Sequence, residues 1–169
     1  MRFFLIGFMG AGKTWMGQQI SLLTGYSHHD LDACIEEAEG MDISALFKKI
    51  GEDQFRVVEQ KCLHELIAAN ANLLLSCGGG TPCFFDNIDF MKKNGTVIWL
   101  DPPISVLFDR LKAAYQNRPL LNNNFEPKQL EEYIHLKLAE RTPFYKQAHF
   151  RIQDVKPDPL SLIKLIQHG

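Results

Sequence analysis

Apolar and polar positions alternate along this chain in blocks of two kinds. Phe3-Phe4-Leu5-Ile6, Leu73-Leu74-Leu75 and Thr96-Val97-Ile98-Trp99-Leu100 are short and almost continuously apolar. That is the pattern of strands buried on both faces. The second is followed closely by Gly78-Gly79-Gly80 and the third by Asp101-Pro102-Pro103, so each ends in a break. Weaker strands are expected at Tyr26 to His29 and at His149 to Ile152. Between them lie helical periods. Thr14 to Leu23 stops at Gly25, a suitable C′ glycine. Glu52 to Ala69 carries Phe55, Val58, Cys62, Leu66 and Ala69 at three- and four-residue spacing, which predicts a core-facing stripe. Pro127 to Glu140 repeats it with Leu130, Tyr133, Ile134 and Leu138. Strands alternating with helices predict a parallel sheet covered on both faces. Tyr115 to Glu126 lacks either period and holds three Asn and a Pro, as a mobile loop or lid would.

At 169 residues the chain is expected to form one domain, residues 1–169, with roughly 70% of its unfolded surface buried. Eighteen Lys and Arg against twenty Asp and Glu leave a net charge of −2, which excludes the basic footprint of a general nucleic-acid binder. No apolar run approaches a membrane span, and the apolar start is too short for a signal peptide. Cys34, Cys62, Cys77 and Cys83 show no CxxC spacing, so reduced thiols in a cytoplasmic protein are expected. Nothing in the pattern demands more than a monomer.

The strongest chemical signal is Gly7-Phe8-Met9-Gly10-Ala11-Gly12-Lys13-Thr14, a full match to G-x-x-x-x-G-K-[ST] between a buried strand and a helix. Such a loop turns successive N–H groups inward on an anion, and the helix N-terminus adds partial positive charge. Gly10, Ala11, Gly12, Lys13, Thr14 and Trp15 are the expected phosphate-binding stretch. Lys13 should reach the β- and γ-phosphates, and Thr14 should offer its hydroxyl to Mg²⁺. No N-K-x-D run selects guanine.

Other segments are ambiguous one by one. Asp30-Leu31-Asp32 follows the second strand and should project two carboxylates from its carboxyl end. They could hold Mg²⁺ through water or accept a proton, but Asp32 could equally cap the next helix. Arg56 and Glu59 in Gly51-Glu52-Asp53-Gln54-Phe55-Arg56-Val57-Val58-Glu59 can pair on a helix, which at a surface is unremarkable. Gly78-Gly79-Gly80 lets backbone approach something bulky. Arg118 lies in Arg118-Pro119-Leu120-Leu121 within the loop. Arg141, in Glu140-Arg141-Thr142-Pro143-Phe144-Tyr145, could be a cation favoured at a helix end.

In this order and in a chain of this length, these segments resemble the shikimate kinase family from Gly7 to Tyr145. The resemblance implies a three-layer α/β/α P-loop fold of the nucleoside-monophosphate-kinase type. Its parts are a five-stranded parallel sheet, a substrate-binding region and a mobile lid at about residues 113–126. It implies ATP-dependent phosphorylation of the shikimate 3-hydroxyl, on the route to chorismate and the aromatic amino acids, with Mg²⁺. By the same resemblance Asp32 is the general base and a contact to the shikimate hydroxyls. Asp30, Asp32 and Ser76 lie near the Mg²⁺ waters. Arg56 and Arg141 grip the carboxylate, and Gly78, Gly79 and Gly80 wall the ring. Arg118 covers the transferred phosphate, and Arg110 stacks near adenine. Shikimate offers one carboxylate and three hydroxyls, and a guanidinium fork suits a carboxylate where Lys does not. Trp15 and Cys77 depart from the family's usual small residues. Two other readings fit the phosphate loop: another small-metabolite kinase such as a gluconate kinase, and a nucleotide-binding module without turnover.

Overall fold

The computed structural model describes residues 1–116 and 126–168. In chain order it runs β1 (Arg2–Ile6), α1 (Lys13–Thr24), β2 (His28–Asp30), α2 (Leu31–Glu39), α3 (Ile43–Ala69) and β3 (Leu73–Ser76). A 3₁₀ turn at Thr81–Cys83 follows, then α4 (Asn87–Asn94), β4 (Thr96–Leu100), α5 (Ile104–Gln116), α6 (Pro127–Tyr145), β5 (Phe150–Ile152) and α7 (Pro159–His168). The strands form one parallel sheet in the order β2-β3-β1-β4-β5.

Strand alternation explains the three layers. Phe3 and Leu5 point to one face of β1, Phe4 and Ile6 to the other. The first pair joins Leu74, Ile98 and Leu100 beneath Met16 and Ile20 of α1, Leu107 of α5 and Leu162 of α7. The second pair joins Leu73, Leu75, Val97 and Trp99 beneath Leu31 and Ile35 of α2, Leu63 and Ile67 of α3 and Met91 of α4. The chain leaves β1 toward the β2 edge and leaves β3 toward β4. Adjacent strands whose connections leave in opposite directions mark the carboxyl-end edge where ligands bind in open α/β sheets.

The strongly apolar strands stand where the sequence places them, and the weak ones shift by a residue or two. The second strand is His28–Asp30 rather than Tyr26 to His29. The helix expected from Glu52 is the second half of α3, because Gly51 breaks the helical path with φ 78° and ψ 169°. Its fully buried stripe is Phe55, Arg56, Glu59, Leu63 and Ile67. Of the expected stripe Phe55 is buried, Val58, Cys62 and Leu66 are half-buried against the core, and Ala69 is exposed. Two charged residues belong to the inward face, so an apolar periodicity misses it by a fraction of a turn. α6 continues past Glu140 and through Pro143 to Tyr145. The loop expected at Tyr115 to Glu126 begins inside α5, which extends to Gln116, and its remainder to 125 lies outside the described residues.

Candidate active site

The glycine-rich segment after β1 has the geometry its sequence predicts. Gly12 precedes α1 with φ 96°, a left-handed conformation that side chains disfavour. A Cβ on Gly7 would lie 2.4 Å from the Leu100 carbonyl oxygen, so the loop also hugs β4. Lys13 Nζ donates to the carbonyl oxygens of Gly7 and Phe8, each at 2.9 Å, and so curls back over the loop. Burial holds Lys13 down to about 8 against the opposing pull of Asp32. Arg110 donates to Gly10 O at 2.8 Å and to Val155 O at 3.3 Å, tying α5 and the segment after β5 to this loop. Trp15, the third residue of α1, is half exposed.

The Asp30-Leu31-Asp32 segment differs from its expected form. Asp30 closes β2 and is itself the cap of α2, accepting from the Asp32 amide at 3.1 Å. Asp32 stands in the first helical turn, not on the strand. Asp30 also accepts from the Thr14 hydroxyl at 2.6 Å, linking the second strand to the phosphate loop. Burial, then the like charges of Asp30 and Glu59, push Asp32 up to about 6. Ser76, at the end of β3, is buried and shares a 3.0 Å hydrogen bond with His28 Nε2.

Beyond Asp32 a cavity of about 340 Å³ opens between α3, α6 and the loop after β3. Asp32, Arg56, Gly78, Gly79, Gly80 and Arg141, separated by up to 109 positions in sequence, all line it. Arg56 is 7% exposed, so its pairing is no solvated surface pair. Its Nη1 donates to Glu59 Oε2 at 2.9 Å and its Nη2 to Glu52 Oε1 at 2.8 Å. Burial alone would lower the Arg56 pKa, but the two carboxylates outweigh it and raise it. Glu59 is in turn held by the Thr81 hydroxyl at 2.6 Å. Arg141 makes no ion pair among the described residues, although it precedes the end of α6 by one turn. Its guanidinium lies 5.4 Å from the Phe8 ring centroid and beside the Tyr145 phenol. Tyr145 donates to Gly79 O at 2.5 Å, fixing the end of α6 against the glycine loop.

The three glycines are required by space rather than by torsion, since none has a positive φ. A Cβ on Gly78 would sit 3.0 Å from Asp32 Oδ1 and Glu59 Oε1. On Gly79 it would sit 3.0 Å from Arg141 Nη1, and on Gly80 2.7 Å from Arg56 Nη2. Gly78 thus makes room for the Asp32 and Glu59 carboxylates, Gly79 for Arg141 and Gly80 for Arg56.

Several lining residues escape sequence reasoning. Phe47 and Phe55 stack at 4.1 Å and form an aromatic floor. Phe55 reads in sequence as core, and Phe47 lies in the half-helix before Gly51 for which the period gave no signal. Tyr133 and Lys137 enter because α6 presents one face to the cavity at four-residue intervals before Arg141. Arg118 lies outside the described residues.

Comparison with known proteins adds to this geometry. A family model described as shikimate kinase matches residues 9–167. The shikimate kinase of Phocaeicola vulgatus is 45% identical over 147 residues, covering 87% of this chain and 83% of that protein. The crystal structure of shikimate kinase from Bacteroides thetaiotaomicron superposes with a TM-score of 0.88 at 37% identity, covering 99% of this chain and 95% of that one. The Acinetobacter baumannii shikimate kinase, in complex with shikimate, gives a TM-score of 0.84 at 33% identity, covering 99% and 90%.

Proposed function

The chain belongs to the shikimate kinase family, and from that premise we propose that it transfers the γ-phosphoryl group of ATP to the 3-hydroxyl of shikimate. The observation that carries this reading is the cavity beside the phosphate loop. It brings one carboxylate near neutral pKa and two guanidinium groups to a space of about 340 Å³, suited to a small polyhydroxylated acid.

The donor binds through the N–H groups of Gly10 to Thr14 at the start of α1, with Lys13 turning from its carbonyl contacts to the phosphates. Arg110, bonded to the loop at Gly10, covers the nucleotide in this reading. The donor set also suits Mg²⁺. The Thr14 hydroxyl and the Asp30 carboxylate are 2.6 Å apart, both hard oxygen donors, with Asp32 two residues on. Among the described residues there is no cluster of three His, Cys, Asp or Glu side chains that could hold a metal. In this reading the ion is shared with phosphate oxygens and water. When bound, the ion neutralises charge on the phosphates.

On the acceptor side Arg141, without a carboxylate partner among the described residues, takes the substrate carboxylate together with the remaining N–H groups of Arg56. Glu52 and Glu59 hold the Arg56 fork by its two terminal nitrogens and offset its charge. Anchored at the carboxylate, the ring lies against Gly78 to Gly80 and presents a hydroxyl to Asp32. Asp32 orients that hydroxyl and takes its proton as the bond to phosphorus forms. A base with a pKa of about 6 is ionised at neutral pH and still basic enough to accept a proton. Phosphoryl transfer asks mainly for such positioning and charge neutralisation.

The test is acceptor-dependent ADP release with shikimate, gluconate and nucleoside monophosphates supplied in parallel. Turnover with shikimate alone is expected. Turnover with gluconate but not shikimate would replace the acceptor assignment, and nucleotide binding without any turnover would replace the enzymatic one.

A further inference from the structure

Phe84 sits outside the cavity, yet its ring is the aromatic surface nearest to Arg56. The Arg56 guanidinium carbon is 4.2 Å from the Phe84 ring centroid, against 5.2 Å for Phe55 and 5.6 Å for Phe47. Phe47 and Phe55 line the cavity and Phe84 does not. Among the described residues Phe84 also belongs to neither apolar core cluster. The ring contact it makes is with the Arg56 cation.

We propose that Phe84 is a positioning residue for the acceptor site, whose ring holds the plane of the Arg56 guanidinium and so sets its grip on the substrate carboxylate. The proposal rests on the reading of Arg56 as a carboxylate ligand.

Three observations support it. Glu59 and Glu52 hold Arg56 through bonds at its two terminal nitrogens, which fix the fork within its plane. In-plane bonds resist tilt only weakly, and the Glu52 side chain is 55% exposed, so its hold is loosened by water. With the guanidinium carbon over its face, the Phe84 ring opposes the tilt that the carboxylates allow. Second, Arg56 is buried and its Nε has no hydrogen-bond partner. An incompletely bonded cation gains most from the negative face of an aromatic ring where water is excluded. Third, the chain turns sharply to present Phe84. Phe85 has a φ of 51° and is 56% exposed, while Phe84 is extended at φ −115° and half-buried. A left-handed aromatic residue is a strained choice. Here it sends two neighbouring rings opposite ways, one onto Arg56 and one into solvent.

The test uses the full chain with Phe84→Leu, Phe84→Ala and Phe84→Tyr, measuring shikimate affinity by calorimetry beside kcat and both KM values. Leu fills volume without a π face, and Tyr keeps the face. Phe84→Leu and Phe84→Ala are expected to weaken shikimate binding about tenfold. Their kcat and ATP KM should stay within about twofold, with Phe84→Tyr close to the parent. Shikimate affinity kept by Phe84→Leu would overturn the proposal, because packing alone would then suffice. Equal losses in ATP KM would overturn it as well. If Phe84→Ala fails to fold, the Leu and Tyr variants decide between these outcomes. Arg56→Gln separates the premise from the proposal. If it leaves shikimate affinity intact, the carboxylate reading fails and the proposal with it. If it weakens shikimate while Phe84→Leu does not, only the role of Phe84 falls.

Discussion

The two halves of the candidate site are built on opposite plans. The donor half is backbone: eight consecutive residues, Gly7 to Thr14, present N–H groups and a helix N-terminus, with Lys13 as their one cation. The acceptor half is side chain: Asp32 from α2, Arg56 from α3 and Arg141 from α6 converge on glycines that follow β3. The donor plan needs no buried ion pair. The acceptor plan encloses the Arg56–Glu59 pair and holds Asp32 well above its ordinary pKa. Backbone suffices for a phosphate chain common to many ligands. A particular small acid requires charged side chains fixed relative to one another, and burial is what fixes them.

The comparison breaks first at its two reacting ends. Lys13→Ala should abolish transfer, a loss on the order of 10³-fold or more, because it removes the cation proposed to reach the migrating phosphoryl group. Acceptor binding should survive, as calorimetry with shikimate alone would show. Asp32→Asn should lower kcat by ~10²–10⁴-fold with ATP affinity retained. A pH profile sharpens this. With Asp32 at about 6, kcat/KM for shikimate should fall as pH drops through that value, and the limb should vanish in Asp32→Asn. Stability moves the other way. The folded state holds this proton more tightly than the unfolded chain, so the contribution of Asp32 is fully present below the ordinary carboxylate pKa. It is lost as pH rises through about 6. A wild-type profile flat from pH 5 to 8 would remove Asp32 as the base.

The same contrast governs what could be read in advance. The phosphate loop is local, so eight letters specify both its shape and its chemistry. The parallel sheet was legible because its central strands are apolar on both faces. The acceptor pocket was legible only through resemblance: Arg56, Gly80 and Arg141 each have an ordinary local explanation, and no sequence period links α3 to α6. Where reasoning from period failed, the cause is physical. The inward face of α3 carries Arg56 and Glu59, which an apolar pattern reads as solvent-facing. Phe47 and Phe55 read as core or as nothing, because a pocket floor and a core show the same letters. The capping role went to Asp30 rather than Asp32, since the strand ended a residue later than its polar composition suggested.

The buried pair tests whether acceptor precision depends on stability. Glu59→Gln leaves Arg56 buried with half its compensation and weakens the 2.6 Å bond from Thr81. The expected cost is about 3 kcal/mol, seen as a lower urea midpoint at unchanged slope. Glu140→Gln, at the exposed pair with Lys137, should cost less than about 1 kcal/mol. Equal effects at the two sites would show that the Arg56 pair is not the special one.

The finest distinction is between a guanidinium and a charge. Arg141 has no carboxylate partner among the described residues, lies against Phe8 at 5.4 Å, and has its neighbour Tyr145 tied to Gly79. The fork is therefore preset before any acceptor arrives. Arg141→Lys keeps the charge, removes the fork and shortens the donor reach, so two parallel bonds to a carboxylate become one. The shikimate KM should rise about tenfold, with kcat and the ATP KM nearly unchanged, because binding to ground and transition states is lost alike. A fall in kcat of the same size would mean that Arg141 also sets the distance between hydroxyl and phosphate. An unchanged KM would reduce it to a cation at the end of α6, and the acceptor pocket would then need only charge at that position.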